Sequence, residues 1–270
     1  MSALEKLKKK IESGLHICVG LDTDVNKIPI HLTDLEDPIF EFNKQVIEAT
    51  KDTAAAYKLN LAFYEKEGSR GQDTMLKTLE IIPDDVLTIG DAKRGDIGNT
   101  SKMYAQALFE GCGFDSSTLS PYIGYDSVQP FLEYEDKLNF ILVLTSNPSN
   151  KDFETLQTTS GKYLYQEVLE KVKDWNTNLN CGIVFGATNP SELSENMNSF
   201  GDLPVLLPGV GSQGGSLEEV TELFENAGNI NYLVNVSRGL IYCDSTENFK
   251  QKISEKLQSY NEIIGGIISK

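Results

Sequence analysis

The chain has 270 residues, of which 40% are apolar and 24% charged, with a formal net charge of −16. The apolar share is enough to fill a core and excludes a disordered chain. The acidic excess argues against nucleic acid or an acidic membrane as a partner, because both need a concentrated basic surface, so any anionic ligand must be captured by local charge.

At the N-terminus, MSALEKLKKKIESG sets Leu4, Leu7 and Ile11 at helical spacing, with Ser2 and Glu5 placed as a capping box and Gly14 as a stop. The segment lacks the continuous apolar centre of a signal peptide. The late apolar cluster IIGGIIS is too short to cross a bilayer. A cytoplasmic protein is expected.

β-rich runs then recur at residues 16–22, 54–60, 86–93, 116–121, 139–146, 181–188, 203–211 and 231–239. Helical patterns lie between and after them, at 39–52, 70–80, 98–110, 125–135, 160–177, 191–199, 216–226 and 246–264. This alternation, with no low-complexity linker, predicts an α/β fold: a single (β/α)8 barrel domain over residues 1–270 with a short N-terminal helix. An open doubly wound sheet also alternates. Its dinucleotide form should carry GxGxxG after the first strand, where this chain has GLDTDVNK.

Cys18, Cys112, Cys181 and Cys243 are far apart, with no CxxC pair, and read as reduced thiols rather than disulfides or zinc ligands. His16 and His31 are too few for the usual imidazole metal cluster, and His16, opening a strand, is expected to be structural. Acid–base chemistry, if the chain performs any, then falls to Lys, Asp and Glu.

In a barrel the C-terminal strand ends form one mouth. They would bring together Asp22, Lys58 with Asn60, Asp91 with Lys93, Ser146, Gln213 and Arg238. DAKRGDIGNT, residues 91–100, places two acids and two bases within six positions, and strand alternation puts Asp91 and Lys93 on one face. Each residue alone has a plainer reading, as a helix cap or a solvated charge. Their coincidence at one end of successive strands favours a site. PGVGSQGGS, residues 208–216, can bring main-chain N–H groups close to an anion, and Arg238 in VSRG can grip a phosphate bidentately.

Four segments in this order, YKLNLAFYE, DAKRGDIGNT, LTSNPS and PGVGSQGG followed by SRG, make the chain similar to the orotidine 5′-monophosphate decarboxylase family over nearly its whole length. The long loops after the first and fifth strands resemble the longer, type 2-like subgroup. The resemblance implies a Lys–Asp–Lys–Asp array of Lys58, Asp91, Lys93 and Asp96, with Lys93 as proton donor. It implies Asp22, Ile97 and Thr100 as ribose and pyrimidine pocket positions, Ser146 as the base-recognition serine, and Gln213 and Arg238, with Gly239 beside them, as phosphate-site positions. It further implies orotidine 5′-monophosphate as substrate, UMP as product, no cofactor, and a homodimer in which Asp96, Ile97 and Thr100 reach the neighbouring subunit's site.

Two alternatives stay open on these residues. DAKRGD also satisfies the looser DxKxxD pattern of magnesium-dependent barrels acting on sugar phosphates, with Asp22 as a candidate ligand. A noncatalytic nucleotide-binding barrel would keep SRG but is expected to lose one of the four charges, and all four are present.

Overall fold

The computed structural model describes residues 1–211 and 214–269. Its centre is a closed barrel of parallel strands in which each pairs with the next and the last returns to the first. The strands are β1 (Ile17–Gly20), β2 (Ala56–Asn60), β3 (Leu87–Arg94), β4 (Ser116–Leu119), β5 (Leu138–Leu144), β6 (Cys181–Phe185), β7 (Val205–Leu207) and β8 (Tyr232–Val236). All eight predicted strands are present. The helices are α1 (Ala3–Glu12), α2 (Pro38–Thr50), α3 (Leu61–Glu65), α4 (Gly68–Glu80), α5 (Gly98–Gln106) and α6 (Tyr125–Leu132). They continue as α7 (Leu164–Trp175), α8 (Pro190–Phe200), α9 (Leu217–Asn226), α10 (Arg238–Ile241) and α11 (Phe249–Ile268).

Apart from the polar β4, Ser116–Leu119, the strands are largely apolar along both faces because both are covered, the usual state of a parallel sheet. Outward residues such as Ile17, Val19, Tyr57, Ile183 and Val234 join the layer under the helices. Inward residues Cys18, Ala56, Leu87, Ile89, Phe140, Val184 and Leu233 fill the barrel, together with Ala3, Leu7 and Ile11 of α1. Helix α1 is thus a plug at the N-terminal end of the barrel. Its predicted capping box is formed, Lys6 and Lys10 bind Asp115 and Asp85 at 2.9 and 3.0 Å, and burial of Leu7 and Ile11 contributes about 1.5–3 kcal/mol each. The opposite end stays open for chemistry.

Differences from the predicted elements are local. Helix α5 passes into a π-turn at Ala107–Gly111, α7 begins only at Leu164, and α11 runs on to Ile268 through the glycine pair. The short helices α3 and α10 carry no pattern long enough to show a period. His16 is buried, stacked 4.2 Å from Tyr232 with Nδ1 3.1 Å from the Tyr232 carbonyl oxygen, as a structural histidine should be. Cys18, Cys112, Cys181 and Cys243 are all free thiols. Among the described residues, no helix is long and apolar enough to cross a membrane.

Candidate active site

Inward positions change character up the barrel. In β2 the inward column runs Ala56, Lys58, Asn60, and in β3 it runs Leu87, Ile89, Asp91, so apolar filling gives way to charge at the C-terminal end. There a cavity of about 250 Å³ opens, with Asp22, Lys58, Asp91 and Lys93 on one side and Leu142, Val184, Leu206 and Pro208 on the other.

The charged side is a chain of contacts. Lys58 Nζ bridges Asp22 Oδ1 at 3.2 Å and Asp91 Oδ2 at 2.9 Å. Asp91 Oδ1 in turn accepts from Lys93 Nζ at 2.6 Å and from the Thr118 hydroxyl at 2.9 Å. Lys58 and Asp91 are almost wholly buried, whereas the Lys93 side chain is 50% exposed at the cavity. Burial alone would raise the Asp91 carboxyl, but the Lys58 and Lys93 ammonium groups outweigh it and hold the carboxyl well below the usual range. Burial would likewise lower the Lys58 ammonium, and Asp91 and Asp22 reverse that, keeping it charged well above the usual lysine range. The site therefore carries fixed charges of both signs beside an apolar wall.

Lys93 reaches Asp91 by more than strand alternation. Between β3 and β4 the register shifts, Gly90 facing Ser117 and Arg94 facing Leu119, and Lys93 has a φ of +47°, in the left-handed region. Strain of this kind in a residue with a side chain gathers at functional sites. Arg94, the second base of DAKRGD, turns elsewhere: Nη2 lies 2.5 Å from Glu65 Oε1 and the guanidinium sits over the Tyr104 ring.

Other predicted residues are placed as follows. Asn60 lines the cavity and also caps α3, accepting from the Ala62 N–H at 3.2 Å. Ser146 lines the cavity from the turn after β5. That turn is braced by Glu154, which accepts from the Thr145 N–H at 2.7 Å and the Thr145 hydroxyl at 2.9 Å. Asn150 and Asn189 both donate to the Thr145 carbonyl. Gly186 is required beside it, since a Cβ there would come within 2.8 Å of the Ser146 backbone. Arg238 and Gly239 open α10 after β8. Gln213 lies outside the described residues. In the adjoining loop Gly209, Gly211 and Gly214 all have positive φ, and the N–H groups of Gly211, Gly214 and Gly215 bond within the loop.

Asp96, Ile97 and Thr100 do not line this cavity. Asp96 accepts from the Ile97 N–H at 2.8 Å, and Ile97 and Thr100 are exposed. Thr118 and Asn235 line the cavity without having been singled out in the sequence. Thr118 sits in a polar run, SST, that no spacing rule distinguishes, and Asn235 is an inward polar residue in a strand-like YLVNV, which is the signal that could have found it.

The sequence profile of the "Orotidine 5'-phosphate decarboxylase / HUMPS family" matches residues 16–248. The chain belongs to that family. It is 45% identical over 262 residues to an orotidine 5′-phosphate decarboxylase of Christiangramia forsetii, with 96% of each chain covered. Among solved structures, an OMP decarboxylase of Leishmania donovani superposes with a TM-score of 0.81 at 33% identity, covering 97% of this chain and 100% of that one. A UMP synthase of the same organism gives a TM-score of 0.84 at 34% identity, and there the chain spans 57% of the larger protein.

Proposed function

We infer that the chain is an orotidine 5′-monophosphate decarboxylase, forming UMP and CO2 in pyrimidine nucleotide synthesis. The observation that carries the reading is the unbroken Asp22–Lys58–Asp91–Lys93 chain of contacts at the cavity, ending in an ammonium that faces the open space. Loss of the ring carboxylate leaves an electron pair on carbon with no π-system aligned to take it. A preorganised ammonium beside that carbon stabilises the developing charge and then supplies the proton. In this reading the C–C bond breaks, its electrons stay on the ring carbon, CO2 departs, and Lys93 protonates the carbon before recovering a proton from solvent.

Asp91 then lies against the departing carboxylate, held by Lys58, which is itself paired with Asp22, and Lys58 and Asp22 bind ribose. Ser146 recognises the base against the apolar wall, and Arg238, Gln213 and Gly239 take the phosphate. Phosphate binding energy can be realised in the transition state through loop closure, so these residues affect rate as well as affinity.

The protein works as a homodimer in which Asp96, Ile97 and Thr100 complete the partner's site, a reciprocal arrangement under two-fold symmetry. In support, Ile97 and Thr100 present exposed side chains at the start of α5, Ile97 being 57% exposed. A cytoplasmic location goes with the same reading.

The magnesium-dependent alternative would use Asp22 and Asp91 as metal ligands. Here the Lys58 ammonium already bridges those two carboxylates, which favours the metal-independent reaction. The test is disappearance of orotidine 5′-monophosphate by near-ultraviolet absorbance with purified protein. Turnover that persists in EDTA is expected, whereas loss in EDTA with recovery in magnesium would favour the alternative.

A further inference from the structure

The seam between β3 and β4 contains a local mismatch. Gly90 pairs with Ser117 and Arg94 with Leu119, so Asp91, Ala92 and Lys93 all fall opposite one residue, Thr118. Extra residues in one strand lose their ladder partners, and a main-chain N–H turned from solvent must find another acceptor. For Lys93 that acceptor is the Thr118 hydroxyl, 2.9 Å from its N–H.

The same hydroxyl lies 2.9 Å from Asp91 Oδ1. Its roles are fixed by its partners, since an amide only donates and an ionised carboxylate only accepts. Thr118 therefore accepts from Lys93 and donates to Asp91, and its single proton is committed. The Asp91 carboxylate in consequence has three donors, Thr118 and Lys93 on Oδ1 and Lys58 on Oδ2. Together they fix its plane.

We propose that Thr118 is a positioning residue of the decarboxylation: one hydroxyl fixes both the left-handed backbone of Lys93 and the carboxylate that holds the Lys93 ammonium. The inference rests on the function proposed above. A lysine carries its charge on a flexible four-carbon stem, and the Lys93 side chain is 50% exposed, so its location depends on restraint at root and head. Thr118 supplies the first directly and the second through Asp91. Misplacing a catalytic group by about 1 Å can lower a rate by about 100-fold. The hydroxyl has no proton left to offer a substrate, and Thr118 is buried to 1% exposure, which makes its effect on the reaction indirect.

The test compares wild type, Thr118→Val, which keeps the shape and removes the hydroxyl, and Thr118→Ser, which keeps the hydroxyl. Thr118→Val should lower kcat on the order of 10- to 100-fold while KM and UMP affinity stay within about threefold. Thr118→Ser should restore most of the lost turnover. Should Thr118→Val fail to bind UMP or lose its cooperative thermal transition, Thr118→Ala replaces it, with the same loss in kcat expected. Equal losses in the serine variant and the hydroxyl-free variant would assign the effect to methyl packing and overturn the proposal, as would a kcat unchanged from wild type. An inert wild type overturns the function proposed above and this inference with it, so the two failures are told apart.

Discussion

Lys58 Nζ stands 2.9 Å from Asp91 Oδ2, both side chains almost wholly removed from solvent, at the point where the barrel interior changes from apolar filling to charge. Two opposite charges at such depth are tolerated because each has more than one partner. Lys58 also meets Asp22, and Asp91 also meets Lys93 and Thr118. Removing one member of such a network leaves its neighbours buried with part of their compensation lost.

Lys58→Met should therefore destabilise the fold by about 3–5 kcal/mol, measured by urea or thermal unfolding, in addition to any loss of activity. A change below about 1 kcal/mol, the level of a surface pair, would mean that the buried network is not held together by this ammonium.

The same network predicts a sign for the pH dependence of stability. The folded pKa of Asp91 is depressed, so its contribution is present above the unfolded carboxylate pKa of about 3.9 and fades as pH falls from there towards the folded value. Lys58 is shifted upward, so its contribution is present below the unfolded lysine pKa of about 10.4 and is lost as pH rises through the folded one. The stability difference between wild type and Asp91→Asn should accordingly narrow on acidification from roughly pH 5 to pH 3. A difference that stays constant over that interval would contradict an ionised, paired Asp91.

How much of this was legible in the chain depended on whether the signal was local. The strands could be read because burial on both faces leaves continuous apolar runs, as in NFILVLTS and CGIVFGAT, and α1 because Ser2 and Glu5 mark its start. Register could not be read. The mismatch at Lys93 belongs to β3 and β4 together, so neither the left-handed backbone nor the role of Thr118 appears in DAKRGDIGNT. Nor does that stretch reveal that Arg94 faces Glu65 and Tyr104 instead of the cavity, because the aromatic and acidic partners come from distant segments. The Asn- and Thr-rich stretch after β5 reads as a long loop, yet Glu154 within it anchors the turn that presents Ser146.

Arg238→Ala should weaken binding of orotidine 5′-monophosphate and UMP by about 2–5 kcal/mol, the usual cost of truncating one partner of a desolvated charge pair. Affinity for the nucleoside orotidine, which has no phosphate, should barely change. Free guanidinium should return part of the lost turnover. Equal losses for nucleotide and nucleoside would place Arg238 away from the phosphate.

Glu154→Ala removes the carboxylate that accepts from the Thr145 N–H and hydroxyl, leaving the hydroxyl only Asn147 Oδ1 as an acceptor, and should loosen the Ser146 turn. The expected outcome is a raised KM for orotidine 5′-monophosphate, with a smaller effect on kcat, since Ser146 recognises the base and stands apart from Lys93 in this reading. An unchanged KM would show that the turn holds its shape without this brace.

The proposed sharing of the site between subunits is tested by mixing. Lys93→Ala and Asp96→Ala chains, each expected to be inactive, should form hybrids on co-folding in equal amounts, with one site doubly damaged and one intact. With random pairing about half the dimers are hybrids with half their sites working, so on the order of a quarter of wild-type activity should return. Demonstrated subunit exchange without any return of activity would mean that Asp96 acts within its own barrel.

The most direct test of the charged array is the paired measurement of turnover and UMP affinity in Lys93→Ala. An ammonium that acts on charge appearing only in the transition state should be dispensable for binding the product and indispensable for making it. Decarboxylation of orotidine 5′-monophosphate should be abolished while the UMP dissociation constant stays within about tenfold of wild type. Decarboxylation near the wild-type rate in a folded, UMP-binding Lys93→Ala protein would contradict this role of the ammonium.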